Sequence, residues 1–467
     1  MRFSMIPIIF LVFPLTVQSK DILVPQDHST IQQAIDAAQT GDRVLVAPGT
    51  YVEHLDFKGK AITLKSEEGA GMTVIDANKT GRGVTFKSGE TRKAVLDGFT
   101  ITNGNEPVSN GGGIDCTLES SPTITDCVIA YNKADALGGG IACRGMSKPL
   151  IRRCSFIGNI ARDYYEGSYG GAICCFILGD AVIEDCVFIG NESMYGGAID
   201  IGVSYPSITN CVFIDNKADK GGGAISCSSS DPLITNCTFV DNTAVFGGGL
   251  ALIGVFLPSY PVLTNCILWD NSPEEIKALI GEPEVTYCDV QGGWPGAGNI
   301  DVLPLFADSP TDSTGRDLHL FHTSPCRDAG TGSVTNLPAA DFEGDPRIAG
   351  SAVDMGADEF HTHLYVTGDA TPGGAIEAKI VGLPGTNPVG LFLGSGVLST
   401  PLNTLWGQFH LLTPWFLVPL NPVPSDGVLL LPASLPSSVP APYDLAMQAL
   451  VGLGADSLTN VCLLEVR

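Results

Sequence analysis

Residues 196–216 read GGAIDIGVSYPSITNCVFIDN, and close copies stand on either side: GGAICCFILGDAVIEDCVFIGN at 170–191 and GGGAISCSSSDPLITNCTFVDN at 221–242. Each copy opens on glycines, passes through short apolar runs and closes on an asparagine. Aligned on that residue, Asn132, Asn159, Asn191, Asn216, Asn242 and Asn271 follow at intervals of 27, 32, 25, 26 and 29 residues. Five positions before each lies a cysteine. Three positions before each lies a large apolar residue: Ile129, Phe156, Phe188, Phe213, Phe239 and Leu268. The phrase has no helical period and almost no room for a helix between its turns. A repeat of this length, made of two or three strand-like runs, predicts one coil of an all-β solenoid in which each coil hydrogen-bonds to the next. Like residues then stack about 4.8 Å apart, with apolar side chains in columns and asparagine amides in a ladder at a turn.

Such a stack needs covers, because an open sheet edge invites pairing with other chains. Residues 29–51, STIQQAIDAAQTGDRVLVAPGTY, supply one. Ser29 with Gln32 reads as a capping box. Ile31, Ala34, Ile35 and Ala38 share one face of a helix predicted over 30–38, which should lie across the first coil. Fourteen cysteines would ordinarily suggest disulfides in an exported chain. Here Cys127, Cys154, Cys186, Cys211, Cys237, Cys266 and Cys288 recur at the repeat spacing, with a second series at Cys116, Cys143, Cys175 and Cys227. Equivalent positions stack, so the expectation is a ladder of small buried thiols; seven cannot all pair within one ladder, and bridges between some neighbours stay open.

The cap helix followed by GDRVLVAPGTY (41–51) and coils of the ITNCVFIDN type resembles the right-handed parallel β-helix of the pectate-lyase-like superfamily. The alternation of GGAI with FIGN, FIDN and FVDN is similar to the GGAI/FxxN repeats of polymorphic outer-membrane proteins. Residues 298–360, with GNIDVLPLF, SPCRDAG and DMGADEF, resemble the closing coils of exported bacterial β-helix proteins. These likenesses cover residues 21 to about 360 and imply a fold that carries lyases, hydrolases, epimerases and non-catalytic adhesins alike.

The N-terminal MRFSMIPIIFLVFPLTVQSK has one Arg, an apolar run from Ile6 to Leu15 and a small-residue cleavage site, so 1–19 reads as a signal peptide and the β-helix as residues 20–360. No later stretch reads as a transmembrane helix. From residue 361 the composition changes: residues 362–467 hold 12 Pro and 8 charged residues, and alternating runs there predict a small β-sandwich over 361–467. A net charge of −25 argues against nucleic acid or an anionic membrane as partner.

The strand after the glycines alternates, which places Asp115, Ala142, Cys174, Asp200, Ser226 and Ala251 on its outward face. A polysaccharide lyase needs an Arg or Lys base near the sugar and a cation on the uronate carboxylate, and this row has no Arg or Lys. A glycoside hydrolase needs two carboxyls about 5–9.5 Å apart; Asp115 and Asp200 are expected three rungs, roughly 14 Å, apart. The loop ARDYYEGSY (161–169) offers Tyr164 and Tyr165, and Tyr205 follows one coil later. Flat rings with polar tips suit sugar faces, so these three tyrosines, with Asp200, are the candidate ligand-binding residues. In ADFEGDPR (340–347), Asp341, Glu343 and Asp345 alternate around Gly344 at a spacing that can suit Ca²⁺. The expectation is a secreted or cell-surface monomer that binds a polysaccharide or cell-surface glycan without cleaving it. The alternative is a pectate-lyase-like lyase, ahead of a glycoside hydrolase.

Overall fold

In this computed structural model, residues 19–360 are described apart from 108–109, 163–166, 255–256, 307–317, 322 and 335–336; beyond residue 360 the strands between 363 and 466 are described. The signal-peptide segment, and Tyr164 and Tyr165, lie outside the described residues.

Three parallel sheets run along the solenoid. An eleven-stranded sheet extends from Asp21–Val24 to Glu284–Thr286, a ten-stranded sheet from Gly49–Val52 to Asp289–Val290, and a nine-stranded sheet from Leu55–Asp56 to Ile276–Ala278. A five-stranded sheet, from Asn105–Glu106 to Lys217–Gly221, forms a fourth side over the middle coils. The opening phrase is one circuit. Ile199–Gly202 belongs to the nine-stranded sheet, Ser207–Thr209 to the eleven-stranded sheet and Val212–Ile214 to the ten-stranded sheet.

One residue turns the chain between the last two of these strands. Asp126, Asp185, Asn210, Asn236 and Asn265 take φ between 49° and 55°, a left-handed conformation that Asn and Asp tolerate better than other residues with a Cβ. The cysteine after each of these corners is buried, and its Sγ donates to a main-chain carbonyl, as Cys211 does to Thr209 at 3.2 Å. The thirteen cysteines from Cys116 to Cys326 are buried free thiols; the series Cys127 to Cys288 is a thiol ladder, and the second series runs from Cys116 to Cys175 before Ile201 separates it from Cys227.

The core columns follow the register. Phe156 pairs with Phe188, Phe188 with Phe213 and Phe213 with Phe239; their rings are buried and parallel, with centroids 4.8, 4.7 and 4.6 Å apart. At the corner beyond them the asparagines form a continuous ladder. The Oδ1 of Asn216 accepts both the main-chain N–H and the side-chain amide of Asn191, and the same pair of bonds links each neighbour from Asn132 to Asn271. The ladder begins where Gly104 donates to Asn132 and ends where Asn271 donates to the Glu275 carboxylate. Every amide is buried and bonded, as an interior polar group must be.

The cap is present as the helix Ile31–Ala37, which buries Ile31, Ala34 and Ile35 on the first coil. Its N-cap is Thr30 rather than Ser29: the Thr30 hydroxyl accepts from the Gln33 N–H at 3.2 Å. Two further N–H groups at that end, on Ile31 and Gln32, donate to the Glu53 carboxylate at 2.9 Å each.

The coils end sooner than the sequence suggests. Asp289–Val290 is the last strand of the ten-stranded sheet, and the described residues of 298–360 hold turns and isolated bridges instead of closing coils. This strap runs back along the outer face of the ten-stranded sheet. Ala357 packs there with Val212 and Ile214, and Leu320, Met355 and Phe360 pack with Ile267 and Trp269. Main-chain bonds pin it: Ala357 N–H to the Thr238 hydroxyl at 3.0 Å, and Gly356 N–H to the Asn265 carbonyl at 2.8 Å. Buried Arg347 holds the strap's own turn by donating to the carbonyls of Gly356 and Ala357. Beyond it lie nine antiparallel strands, in sheets of three, four and two.

Candidate functional site

The outward row is assembled as the spacing predicts: Asp115 lies beside Ala142, followed by Cys174, Asp200, Ser226 and Ala251. The structure corrects its exposure, for all six residues are buried. The cause is the glycine corner. Gly196 has φ of 62°, and a Cβ there would stand 2.2 Å from the carbonyl oxygen of Ile199, so the corner doubles back over the strand it feeds. A Cβ on Gly197 would meet the Gly223 carbonyl oxygen of the next coil, also at 2.2 Å. Only glycine passes at both points. Tyr195, just before the corner, stacks on Tyr169 with centroids 5.7 Å apart. Burial, and then the nearby charge of Asp200, raise the pKa of the Tyr169 phenol.

Basic groups also reach this row, at places the six aligned positions do not reveal. Arg144, at the next outward position beyond Ala142, and Arg82, from the coil before, lie 3.2 and 3.3 Å from Asp115 Oδ2. Both guanidiniums serve to neutralise a carboxylate whose side chain is only 2% exposed. Asp200 has a different environment. It accepts from the Ser226 hydroxyl and lies 4.0 Å from Cys174 Sγ. Burial raises its carboxyl to about 7, against the lowering effect of the Ser226 bond. The two aspartates are three strand steps apart, roughly 14 Å, which is too far for a glycosidase pair.

A more open surface lies on the adjoining side. The outer face of the eleven-stranded sheet and strap residues 338–344 enclose a groove of about 680 Å³. Glu184, Ser207, Thr209 and Leu233 form its floor, with Arg153 and Asp185 at the corner beside it and Pro338, Ala340 and Phe342 opposite. Asn210 ties its two walls through a 3.0 Å bond to the Ala340 carbonyl. Arg153 is held by Asp126, with Nε and Nη2 each 2.7 Å from a carboxylate oxygen, and that bond raises its pKa further.

Tyr205 stands two residues before Ser207 and is 52% exposed. Tyr260, 55% exposed, occupies the same place two coils on, since the carbonyls of Pro206 and Pro232 accept from Leu233 and Val262 in successive coils. The two rings therefore project from one edge about 10 Å apart. Between them runs Asp231, whose carboxylate accepts the Tyr260 N–H just as Asp180 accepts that of Tyr205. Tyr260 was legible in the sequence, because SYPSITN (204–210) recurs as SYPVLTN (259–265). The strap wall was not, since it comes from more than a hundred residues away. Of the four candidate ligand-binding residues, Asp200 is buried, Tyr205 is exposed, and Tyr164 and Tyr165 lie outside the described residues.

The alternating acids of 340–347 do not converge. Asp341 Oδ1 accepts the N–H groups of Glu343, Gly344 and Asp345, and its Oδ2 accepts that of Glu359, so its carboxylate organises a turn. Glu343 points away, to His319.

Residues 61–286 match the family described as "Right handed beta helix region", which gives the solenoid its hand. No curated protein matches the chain. The likeness to polymorphic outer-membrane proteins therefore rests on the GGAI and FxxN phrases alone. Solved structures that match include a pectin methylesterase in complex with a hexasaccharide. It is 12% identical over 60% of this chain and 80% of that one, with a TM-score of 0.25, a level that says nothing about activity.

Proposed function

We propose that this right-handed β-helix protein is an exported, monomeric carbohydrate-binding protein that holds a neutral polysaccharide along the edge of its eleven-stranded sheet without cleaving it. The observation that carries the reading is the pair Tyr205 and Tyr260, exposed at equivalent corners two coils apart, on the sheet whose outer face lines the groove of mixed polar and apolar residues. Flat rings at a regular interval favour stacking on alternate sugars of an extended chain. The polar floor, with Ser207 and Thr209, can exchange hydrogen bonds with hydroxyls. The charge of −25 favours a neutral chain over a polyuronate.

A second reading, a polysaccharide lyase, is supported by Arg153 standing in that groove with Glu184 and Asp185. A base must give up its proton first, and the bidentate bond to Asp126 makes Arg153 harder to deprotonate. Affinity electrophoresis against neutral and acidic polysaccharides, run alongside an assay for unsaturated or reducing ends, separates the two. Retardation by a neutral glycan, relieved in Tyr205→Ala and Tyr260→Ala, supports binding. Release of unsaturated ends that is abolished by Arg153→Ala would establish the lyase instead.

A further inference from the structure

Three separate pieces of the strap meet over the outer face of the ten-stranded sheet. They bring together His319, Glu343 and Asp358, which sit over Val187, Ile189, Val212 and Ile214 at the mouth of a cavity of about 200 Å³. His319 Nε2 lies 3.0 Å from Glu343 Oε2 and 4.0 Å from Asp358 Oδ1, and one ligand atom from each residue falls within 4.8 Å of the others. Ligands about 2.0–2.2 Å from a common ion are separated by distances of this order.

The cluster also contains an unmet demand. Asp358 is 8% exposed, and both its carboxylate oxygens are buried and accept no hydrogen bond from any described residue. The neighbouring guanidinium does not answer it: Arg347 turns both Nη groups to the Gly356 and Ala357 carbonyls and its Nε towards Glu359, 3.6 Å away. A buried carboxylate without a partner costs several kcal/mol by general experience, and a coordinated cation removes that cost.

We propose that His319, Glu343 and Asp358 form a divalent transition-metal site, with Zn²⁺ as the ion that fits best, tying three pieces of the strap to one another where they lie over the side of the solenoid. One imidazole and two carboxylates carry a charge of −2 when the histidine is neutral, which a dication balances. The imidazole and the small number of protein ligands disfavour Ca²⁺, which takes six to eight oxygens. Three protein ligands and one remaining position is the Zn²⁺ pattern, and the cavity beside the cluster leaves room for a water there. Because the ligands come from residues 319, 343 and 358, the ion would fasten three loops that otherwise hold by turns and main-chain bonds.

The test uses the full chain, stripped with a chelator and titrated with Zn²⁺ alone against a chromogenic competitor. One tight equivalent is expected. His319→Gln and Asp358→Asn should each weaken it roughly tenfold or more. Asp358→Asn keeps the side-chain volume and removes the buried charge, so it should fold, as circular dichroism would verify. At a Zn²⁺ concentration near the wild-type dissociation constant, the ion should raise the melting midpoint of the wild type clearly more than that of either variant. Co²⁺ in its place should give the visible absorption of a four-coordinate ion in the wild type only. Absence of a stoichiometric site, equal binding by both variants, or preference for Ca²⁺ would overturn the proposal.

Discussion

Asp200 shows how far a single side chain can be read. Its place on the outward row follows from alternation, but its burial depends on Tyr169, Tyr195 and a corner that folds back, none of which the strand's own residues encode. Its carboxyl ionises near 3.8 unfolded and about 7 folded, so between those values the unfolded chain releases a proton that the native state keeps. The contribution of Asp200 to native stability should therefore fall as pH rises through that interval and be fully lost above pH 7. Asp200→Asn can still accept from Ser226. It should match the wild type near pH 4 and exceed it by up to about 4 kcal/mol at pH 8, at about 1.4 kcal/mol per tenfold change in proton affinity. Urea midpoints at the two pH values measure this, and a gap that fails to widen with pH counts against it. Phe213 is the opposite case, predicted and found in the core. Phe213→Ala empties a layer between two stacked rings and should cost about 3–5 kcal/mol in the same measurement.

Among elements, the cap helix was legible because its apolar face repeats at helical spacing over a short window. Its exact start was not. Ser29 and Thr30 are both good caps, and the choice is settled by Glu53, which reaches back across 22 residues to hold the Ile31 N–H. Thr30→Ala should therefore lower stability by about 1 kcal/mol, and Ser29→Ala should leave it nearly unchanged. A larger loss at Ser29 in thermal melts would return the cap to that residue. The strap was misread for a related reason. Its turn residues are plain in the sequence, but its docking depends on bonds such as Ala357 to Thr238 and Asn210 to Ala340, spanning 119 and 130 residues. Periodicity reports neighbours within a coil and between adjacent coils, and it cannot report a segment that returns along the side.

For the whole molecule, the repeat made the solenoid readable because every coil restates the same core, corner and ladder. Eleven of the buried thiols form part of that core, with Cys174 buried on the outward row and Cys326 under the strap. In native protein they should stay unreactive toward an aromatic disulfide reagent and become titratable together in denaturant. Partial reaction under native conditions would mean that the coils open locally. The asparagine ladder reaches further still. All its amides point the same way, from the Gly104 N–H at one extremity to the Glu275 carboxylate at the other, so each link polarises the next and the anion receives the final donor. Neither terminus depends on how many links lie between them. A gene could gain or lose a unit between Asn191 and Asn242 and the same two terminators would still fit, each unit altering the molecule by about 4.8 Å. For the ladder, length is then a dial set in steps by duplication, and the part that would have to be refitted at each setting is the strap, which is pinned at Asn210, Thr238 and Asn265.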